Sequence, residues 1–447
     1  MKRHISLLLL CIAALSIPAF GQGESSGIAV GKTLEPWTEG CLDIHFINTV
    51  AGESIFLILP DGTQMLVDAA GSSQKTGPFG NAGFTNEGVR SRWDPTAENL
   101  DYGEFVSDHI RRCMQWTGND VLDYALVTHF HCDHIGSVYD EPSKVTDAYR
   151  RQSWATVLEN FKIGKMLDRG YPDYDYPFRD MRGVLDNLGN YCDALQWHME
   201  HNGLVVERFR AGVGDQMVLR RNPEKYPDFQ IRNLCVNGEL WTGSGTQTRK
   251  MFPDREEISL TPTSQVGAKD FCPNENALSC MFRLSYGLFD YASFGDASYT
   301  GAGTYLWKDI ETPVAKVCGE VEVFKADHHG SSSTNGADLK PGRNGICATA
   351  MFSLRPQCWV VCGYTDVHPR KTTFENIVER LPETDVYLLN SCPAVKGYAH
   401  YDERVKGSDG HVVVRVSPGG NSYRVYVISD NDGRMTVRSA SDNYPCR

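Results

Sequence analysis

The stretch Thr128-His129-Phe130-His131-Cys132-Asp133-His134 is the part of the sequence from which the fold can be inferred. It follows an apolar run at 122–127 that is typical of a buried strand. His129 and His131 are two residues apart, so both imidazoles leave the same face of an extended chain. Asp133 and His134 follow at the turn into the next helix. A lone histidine is more often a core residue, but four ligand-type side chains within six residues predict a metal site. Imidazole and carboxylate without thiolate suit zinc and leave manganese or iron open.

Two later segments repeat this pattern at the ends of strand-like runs. Asp296 follows Gly295 after one such run, and His328 and His329 follow Asp327 after another. Asp296 alone would be an ordinary carboxylate at a strand end. Because a site for two metals needs ligands from several strands and one ligand that can bridge, we interpret Asp296 as a ligand.

The rest of the chain alternates short strand-like runs with helical stretches. Pro60-Asp61-Gly62 between two such runs predicts a hairpin, since proline pre-sets φ and glycine accepts positive φ. The predicted strands are 42–48, 54–59, 65–68, 123–128, 280–286, 291–294, 321–325, 359–362, 386–389, 411–416 and 422–429, and the predicted helices are 103–116, 147–167, 180–202 and 372–380. This order favours an α/β sandwich, with sheets covered by helices, over a doubly wound parallel sheet.

These motifs together resemble the metallo-β-lactamase fold, an αββα four-layer sandwich. The resemblance rests on four motifs: the His-x-His-x-Asp-His stretch, Val67-Asp68, Gly295-Asp296 and His328-His329-Gly330-Ser331. The similarity is closest to the hydrolase domain of competence proteins used in DNA uptake and to secreted phosphorylcholine esterases. Supporting similarities lie at 42–48, 52–54, 60–62, 274–279, 361–364 and 368–369, and the resemblance covers about residues 41 to 430.

The resemblance implies two divalent metal ions, and it assigns candidate ligands to them residue by residue. His129 and His131 would bind metal 1, Asp133 and His134 metal 2, and Asp296 would bridge them. His329 is the preferred last ligand of metal 2, although the sequence alone does not order His328 and His329.

The resemblance also implies residues around the metals. Asp68 would orient a ligand without binding metal itself. Asp133, His328 and His368 are the candidate catalytic residues, with Arg370 and Lys371 as nearby anion contacts. His328 would face the substrate, and His368 would contact the phosphoryl or leaving group. A surface histidine before a proline is the equal alternative for His368.

The chain departs from the family pattern at one ligand. Fully liganded members have another histidine between the first cluster and Gly295-Asp296, where this chain offers only His198 and His201 in a predicted helix. We therefore expect metal 1 to have an open position or to be weakly held. Cys132, inside the motif, is expected to point away from the metals.

The N terminus predicts export. Lys2 and Arg3 precede an apolar core at 5–17 and the small-x-small site Ala19-Phe20-Gly21, which together are typical of a secretory signal. No later run approaches the roughly eighteen apolar residues of a membrane span, so we expect no stable membrane insertion. The expected location is periplasmic or extracellular.

The thirteen cysteines beyond the signal are expected to form scattered disulfides rather than a cysteine-based metal site. An exported chain usually pairs its cysteines, and an odd number leaves at least one over, which we expect to be Cys132. Cys358 and Cys362 are expected on the same side of one strand, a poor geometry for a bridge.

The chain has 447 residues, a composition near the average for globular proteins and a net charge of −12, which excludes a disordered or fibrous protein. The predicted organisation is a signal peptide (1–21), a linker (22–40), one hydrolase domain (41–430) with insertions at about 71–101 and 168–202, and a C-terminal tail (431–447). The inserted loops are expected to be exposed, with a lid over the site as the alternative.

The hypothesis for function is hydrolysis by water that two metal ions activate. A small or oligomeric phosphoester, most of all a phosphodiester, is the favoured substrate. Removing the signal takes away two positive charges and leaves −14, which disfavours long nucleic acids. The alternatives are a DNA-degrading nuclease, a lactam, lactone or thioester hydrolase, and a non-catalytic extracellular binding module.

Overall fold

The computed structural model describes residues 30–70, 101–177, 180–185, 187–258, 273–298, 305–332, 348–363, 368–431 and 433–447. The signal peptide (1–21), most of the insertion at 71–101, and Cys272 and Cys347 lie outside these residues. What the sequence predicts for them stays a prediction.

The strands of the described residues form two sheets. The first sheet begins with β1 (Leu42–Phe46), β2 (Ser54–Ile58), β3 (Gln64–Ala69), β4 (Val121–Leu126), β5 (Lys162–Asp168) and β6 (Val206–Arg208). The second sheet comprises β7 (Phe229–Val236), β8 (Glu239–Trp241), β9 (Thr248–Lys250), β10 (Met281–Tyr286), β11 (Phe289–Ser293), β12 (Val323–Lys325), β13 (Cys358–Val361), β14 (Asp385–Leu388) and β15 (Val405–Ser408). The chain then returns to the first sheet with β16 (His411–Val416), β17 (Ser422–Ser429), β18 (Thr436–Ala440) and β19 (Tyr444–Pro445).

Helices connect these strands. They are α1 (Tyr102–Thr117), α2 (Cys132–Ile135), α3 (Ser153–Asn160), α4 (Met181–Val184), α5 (Leu188–Asn202), α6 (Glu311–Cys318), α7 (Ala348–Leu354), α8 (Lys371–Arg380) and α9 (Tyr401–Arg404). The longest helix shows why they begin and end where they do. The Asp101 carboxylate caps the start of α1 by accepting the N–H of Gly103 at 2.9 Å, and Gly118 ends the helix at φ 66°.

Each sheet mixes antiparallel and parallel pairing. The first has the order β18-β17-β16-β1-β2-β3-β4-β5-β6 and is parallel from β3 to β6. The second has the order β15-β14-β13-β12-β11-β10-β7-β8-β9 and is parallel from β11 to β15. Strands β4, β12 and β13 therefore lie in parallel segments, where polar residues at carboxyl ends gather on one edge.

Three apolar cores separate four layers. On β2, Ile55 and Leu57 point into a core between the sheets, while Phe56 points to a second core under α1, α3 and α5. A third core packs α6, α7 and α8 on the other side of the second sheet, around residues such as Phe324 and Trp359. The predicted αββα four-layer sandwich is confirmed.

Most predicted elements are present, and one is wrong. The helix predicted at 147–167 spans only Ser153–Asn160, after which β5 begins. Gly164 explains the change, since a Cβ there would lie 2.8 Å from the Asp123 carbonyl oxygen of the neighbouring strand β4. Only glycine allows this close strand pairing.

The predicted insertion at 168–202 is largely integrated into the helical layer. Its first part exposes Pro172 and Asp173 but buries Asp168 and Tyr174, and its second part contains α4 and α5. Likewise, the predicted tail at 431–447 contributes β18 and β19 to the first sheet.

The disulfide prediction is wrong for the cysteines that the structure describes. None of them forms a disulfide: Cys41, Cys113, Cys132, Cys192, Cys235, Cys280, Cys318, Cys358, Cys362, Cys392 and Cys446. All of these except Cys132 and Cys446 are buried. Cys358 and Cys362 do face the same core, between the sheets. Buried cysteine behaves here as a small apolar side chain.

No helix among the described residues is both long and apolar enough to cross a membrane.

Candidate metal centre

Three segments from both sheets meet at one end of the sandwich. The stretch Thr128–His134 follows β4, Asp296 follows β11, and the turn Asp327–Gly330 follows β12. Backbone hydrogen bonds hold the first of these segments. The Cys280 N–H, next to β10 of the second sheet, donates to the Thr128 carbonyl at 2.9 Å, and the Glu53 N–H, next to β2 of the first sheet, donates to the Asp133 carbonyl at 3.0 Å. The site is therefore fixed by regular backbone rather than by loop tips alone.

Four buried side chains form the centre of the site. One donor atom from each of Asp133, His134, Asp296 and His329 lies within 4.8 Å of the other three. Asp296 is central, since its Oδ2 is 3.3 Å from His134 Nε2 and 3.5 Å from His329 Nε2. His329 Nε2 also lies 3.1 Å from Asp133 Oδ2.

His129 and His131 lie next to these four side chains, and the ring centroids of His129 and His134 are 4.1 Å apart. His129 Nε2 is 3.9 Å from Asp296 Oδ2 and 3.1 Å from His131 Nδ1. His129 is buried, whereas His131 is half-buried at the edge of the site. The structure thus brings together all six predicted ligand residues, with Asp296 Oδ2 close to His129, His134 and His329.

Asp68 contacts His134 at Nδ1, the ring nitrogen that does not face Asp296. Its Oδ2 lies 2.7 Å from His134 Nδ1 and accepts the Thr128 hydroxyl at 2.6 Å, and its Oδ1 accepts the Thr128 N–H at 2.8 Å. The imidazole of His134 is thereby oriented so that Nε2 faces Asp296. A carboxylate behind a histidine ligand is the usual arrangement around protein-bound metals.

The two adjacent histidines differ in position. His329 is fully buried, with Nδ1 3.3 Å from the Cys362 carbonyl oxygen, while the side chain of His328 is 28 % exposed. Asn276 Nδ2 lies 3.2 Å from His328 Nε2. Both histidines have left-handed backbone, with φ 45° and 55°, which is strained for residues other than glycine.

Gly295 allows Asp296 to approach the first motif closely. Its φ is 58°, and a Cβ there would lie 2.9 Å from the Ser279 Cβ and 3.0 Å from the Thr128 Cβ. A glycine at the end of a strand often marks such a close approach of two backbone segments.

His368 is buried next to the cluster, so the alternative of a surface histidine is wrong. Its ring centroid lies 6.5 Å from that of His329. Burial lowers the pKa of His368 to about 3, with the neighbouring histidines adding to the effect. Lys371, by contrast, is exposed and pairs with Glu375 at 3.5 Å, so it makes no contact with the cluster.

The charges at the centre depend strongly on one another. Burial alone would raise the pKa of the Asp133 and Asp296 carboxyls, but His134 and His329 outweigh burial and hold both well below the usual range. Burial alone would lower the pKa of His134, but Asp296, Asp68 and Asp133 raise it well above its usual value. A proton on His134 thus balances the carboxylates, and a cation bound between them would serve the same purpose.

Sequence reasoning missed a buried ion pair beside the cluster. Lys325 Nζ lies 2.5 Å from Glu53 Oε2 and 3.6 Å from Asp296 Oδ1, and both side chains of the pair are fully buried. The Lys325 ammonium also donates a hydrogen bond to the Gly295 carbonyl at 2.5 Å. A lysine at the end of the apolar run 321–326 was the available signal.

The histidines of the predicted intermediate helix do not join the site. Both histidines lie on α5. His198 hydrogen-bonds with the Tyr149 hydroxyl at 2.9 Å, and His201 stacks on Trp197 with ring centroids 4.4 Å apart. The expectation that neither supplies the missing ligand is in keeping with these contacts.

The residues at the centre fit a divalent cation. Neither oxygen of the Asp296 carboxylate, nor His134 Nε2, has a hydrogen bond of good geometry to any residue that the structure describes, although all three atoms are buried. Buried polar atoms without partners cost stability, so donors that converge on one point need an occupant. Imidazole and carboxylate donors suit zinc and related divalent ions.

No protein-family model matches the sequence, and no curated protein matches it. Among solved structures, the chain is similar to a protein from Parabacteroides distasonis that is provisionally named a metal-dependent hydrolase, with 10 % identity, a TM-score of 0.34, and coverage of 80 % of this chain and 97 % of that one. It is also similar to the metallo-β-lactamase fold protein YhfI from Bacillus subtilis, with 9 % identity, a TM-score of 0.33, and coverage of 82 % and 95 %. Likenesses this weak say nothing about chemistry.

Proposed function

We propose that this protein is a metal-dependent hydrolase that cleaves phosphoesters, with phosphodiesters as the favoured substrates. One observation carries the proposal. Asp133, His134, Asp296 and His329 place donor atoms within 4.8 Å of one another in a buried site. Such a cluster has no structural use that would offset the cost of burying it.

The ligand roles follow from the position of Asp296. Its Oδ2 is 3.9 Å from His129 Nε2 and 3.3 Å from His134 Nε2, which supports a bridging role. His129 and His131 would bind one ion, and Asp133, His134 and His329 the other. Zinc is the favoured metal, with manganese and iron as the alternatives.

Bound ions would supply an activated water at neutral pH and would stabilise negative charge on the attacked group. The chain's own residues position the reaction. Asp68 keeps His134 in the orientation that presents Nε2, and Lys325 pairs with Glu53 next to Asp296. His328 is the partly exposed histidine of the cluster, so it would contact the substrate, with Asn276 holding its ring.

Two considerations favour a phosphoester. The motifs of the sequence resemble those of phosphoester-cleaving members of the metallo-β-lactamase fold, and two cations suit a phosphoryl group that carries negative charge. The chain itself is acidic, with 56 Asp and Glu against 44 Lys and Arg, which favours a compact substrate over long DNA.

Export is part of the proposal. It rests on the positive residues Lys2 and Arg3, the apolar core at 5–17 and the cleavage site ending at Gly21. Expression of the whole chain in bacteria, followed by N-terminal sequencing of the periplasmic fraction, should give a chain that begins at Gln22. A chain that stays in the cytoplasm with its first residues intact would refute export.

The function is tested by three substrates assayed side by side: bis-p-nitrophenyl phosphate, single-stranded DNA and nitrocefin. Asp296→Ala should lower phosphodiesterase activity by roughly 10²-fold or more, since it removes the shared ligand. Asp61→Asn is the matched control, because Asp61 is a buried carboxylate in the β2–β3 turn that accepts the N–H of Thr63. Equal phosphodiesterase activity in Asp296→Ala and the native chain would contradict the proposal, and turnover of nitrocefin alone would replace it with a lactam hydrolase.

A further inference from the structure

A second cluster of metal-ligand side chains lies in the core under α1, away from the site described above. His45 is on β1, and His109 and Cys113 are on α1. His45 Nδ1 lies 3.1 Å from His109 Nε2 and 3.9 Å from Cys113 Sγ, and the three donor atoms all lie within 4.8 Å of one another. All three side chains are buried.

The backbone makes this convergence a consequence of the fold. On β1, Ile44 and Phe46 point into the core between the sheets, so His45 points the other way, toward α1. His109 and Cys113 are four residues apart on a helix, so both lie on the face that covers β1. Two ligands at i and i+4 on one helix face are a common arrangement in zinc sites.

We propose that His45, His109 and Cys113 bind one zinc ion, which ties α1 to β1. Zinc bound to nitrogen at about 2.0–2.1 Å and to sulfur at about 2.3 Å holds its tetrahedral ligands roughly 3.3–3.6 Å apart. The observed separations of 3.1 and 3.9 Å fall on either side of that range, so small side-chain shifts suffice. On binding, the Cys113 thiol releases its proton to solvent, and the sulfur lone pair goes to the metal.

The surroundings of the cluster support a metal ligand set. Asp43 Oδ2 lies 3.6 Å from His45 Nε2, the nitrogen that would remain free, and Arg415 holds that carboxylate through Nη2 at 2.6 Å. A carboxylate behind a ligand imidazole is the arrangement that orients metal-bound histidines. His45 Nε2 has no hydrogen-bond partner among the described residues, so a shift of this ring toward Asp43 would satisfy it.

His411 lies beside the cluster but is excluded from the ligand set. Its ring centroid is 4.7 Å from that of His109. However, its Nδ1 accepts the N–H of Asn48 at 2.9 Å, and its Nε2 lies 3.5 Å from Asp430 Oδ2. Nδ1 is thus engaged by a hydrogen bond, and His411 does not belong to the group of donor atoms that all lie within 4.8 Å of one another.

Cobalt substitution distinguishes metal bound at this cluster from metal bound at the hydrolase centre, because the proposed ligands of the hydrolase centre include no thiolate. The metal-free full-length chain is loaded with Co²⁺ under reducing conditions, and the near-ultraviolet absorbance is recorded for thiolate-to-cobalt charge transfer. The native chain should show this band, and Cys113→Ser should lose it together with about one bound ion per chain. Cys192→Ser, which removes another buried cysteine of the same helical layer, should keep it.

Matched variants keep the two sites distinguishable. Asp296→Asn should lose hydrolase activity and keep the band, whereas Cys113→Ser should lose the band and keep activity. A native chain without the band, or a band that survives in Cys113→Ser, would overturn the proposal. A band that disappears in Cys132→Ser would also overturn it, by assigning the thiolate to the hydrolase motif.

A measurement on the native chain covers the case in which Cys113→Ser does not fold. X-ray absorption at the zinc edge of the zinc-loaded protein should contain a sulfur shell at about 2.3 Å. A spectrum fitted by nitrogen and oxygen alone would mean that the three residues form only a hydrogen-bonded core cluster, and would overturn the proposal.

Discussion

At the scale of single residues, Asp68 is expected to influence metal binding by fixing the orientation of His134. Its carboxylate contacts His134 and Thr128 with three short hydrogen bonds and sits on left-handed backbone at φ 53°. Strain of this kind is kept only where the surrounding structure fixes it. Asp68 therefore orients the ligand at the expense of local backbone stability.

Asp68→Asn should weaken metal binding by about 10- to 100-fold, because the amide cannot hold His134 as the carboxylate does. The measurement is competition for zinc with a chromophoric chelator. Asp61→Asn, in the β2–β3 turn at the other end of β3 from Asp68, should leave the zinc affinity unchanged. Equal affinities in the native chain and Asp68→Asn would show that this carboxylate does not position the ligand.

His198 is a buried histidine that makes stability depend on pH. Burial lowers its pKa from 6.5 to about 4, with the nearby His201 as a lesser cause. The unfolded chain therefore binds a proton at this residue below pH 6.5, whereas the folded chain binds it only near pH 4. Its contribution to stability is complete above pH 6.5 and is lost as the pH falls toward 4.

His198→Gln should flatten the fall in the free energy of unfolding between pH 6.5 and 4, as followed by urea denaturation at several pH values. His201→Gln, four residues further along α5 and exposed, is the control. An unchanged slope in His198→Gln would assign the acid sensitivity to other groups.

At the scale of secondary-structure elements, the N terminus of α1 links two helices of the outer layer. Besides capping α1, the Asp101 carboxylate accepts hydrogen bonds from Arg151 Nη2 and from the Thr156 hydroxyl, both at 3.0 Å. The same buried carboxylate thus fixes α1 against α3.

Asp101→Ala should lower the free energy of unfolding by about 2–3 kcal/mol, the sum of a lost cap and of a lost charge-assisted hydrogen bond. Chemical denaturation measures it. Asp120→Ala, which removes an exposed carboxylate just beyond the same helix, should change stability by less than about 0.5 kcal/mol. A loss as small as that of the control would mean that α1 does not depend on this cap.

The sequence was most informative where a pattern is local. The hairpin at Pro60-Asp61-Gly62 and the strands that end at Leu126 and Ser293 follow from alternation and turn residues, and the structure has them. The helix predicted at 147–167 failed because pairing with β4, which periodicity does not reveal, turned its second half into β5. Tertiary pairing overrides local propensity in such segments.

In the candidate site, too, the sequence revealed the residues of local motifs and missed the contacts between distant residues. The six candidate ligand residues could be picked out because they stand in short motifs at strand ends. The ion pair of Glu53 and Lys325 could not, because its residues are 272 positions apart and come from different sheets. The cluster of His45, His109 and Cys113 was missed because His45 stands 64 positions before His109, although the i, i+4 pair on a predicted helix was visible in the sequence.

At the scale of the whole molecule, the described part of the chain is held together by its three cores rather than by disulfide bridges. The described cysteines form no disulfide, and most are buried among apolar side chains. This replaces the disulfide framework that the predicted export suggested.

Thiol titration in denaturant without reductant should therefore detect every described cysteine as a thiol. Adding reductant should leave the midpoint of thermal unfolding unchanged, because loss of a native disulfide would cost about 2–5 kcal/mol and lower it. A lower midpoint in reductant, or a deficit of thiols, would show that bridges form.

The central claim is that the buried cluster around Asp296 binds divalent metal, and anomalous diffraction from zinc-loaded crystals at the zinc edge tests it most directly. The account predicts a peak about 2.0–2.2 Å from His134 Nε2 and Asp296 Oδ2. A second, weaker peak is expected next to His129 and His131. Crystals with full zinc loading and no peak at this cluster would contradict the account, even if zinc were bound elsewhere in the molecule.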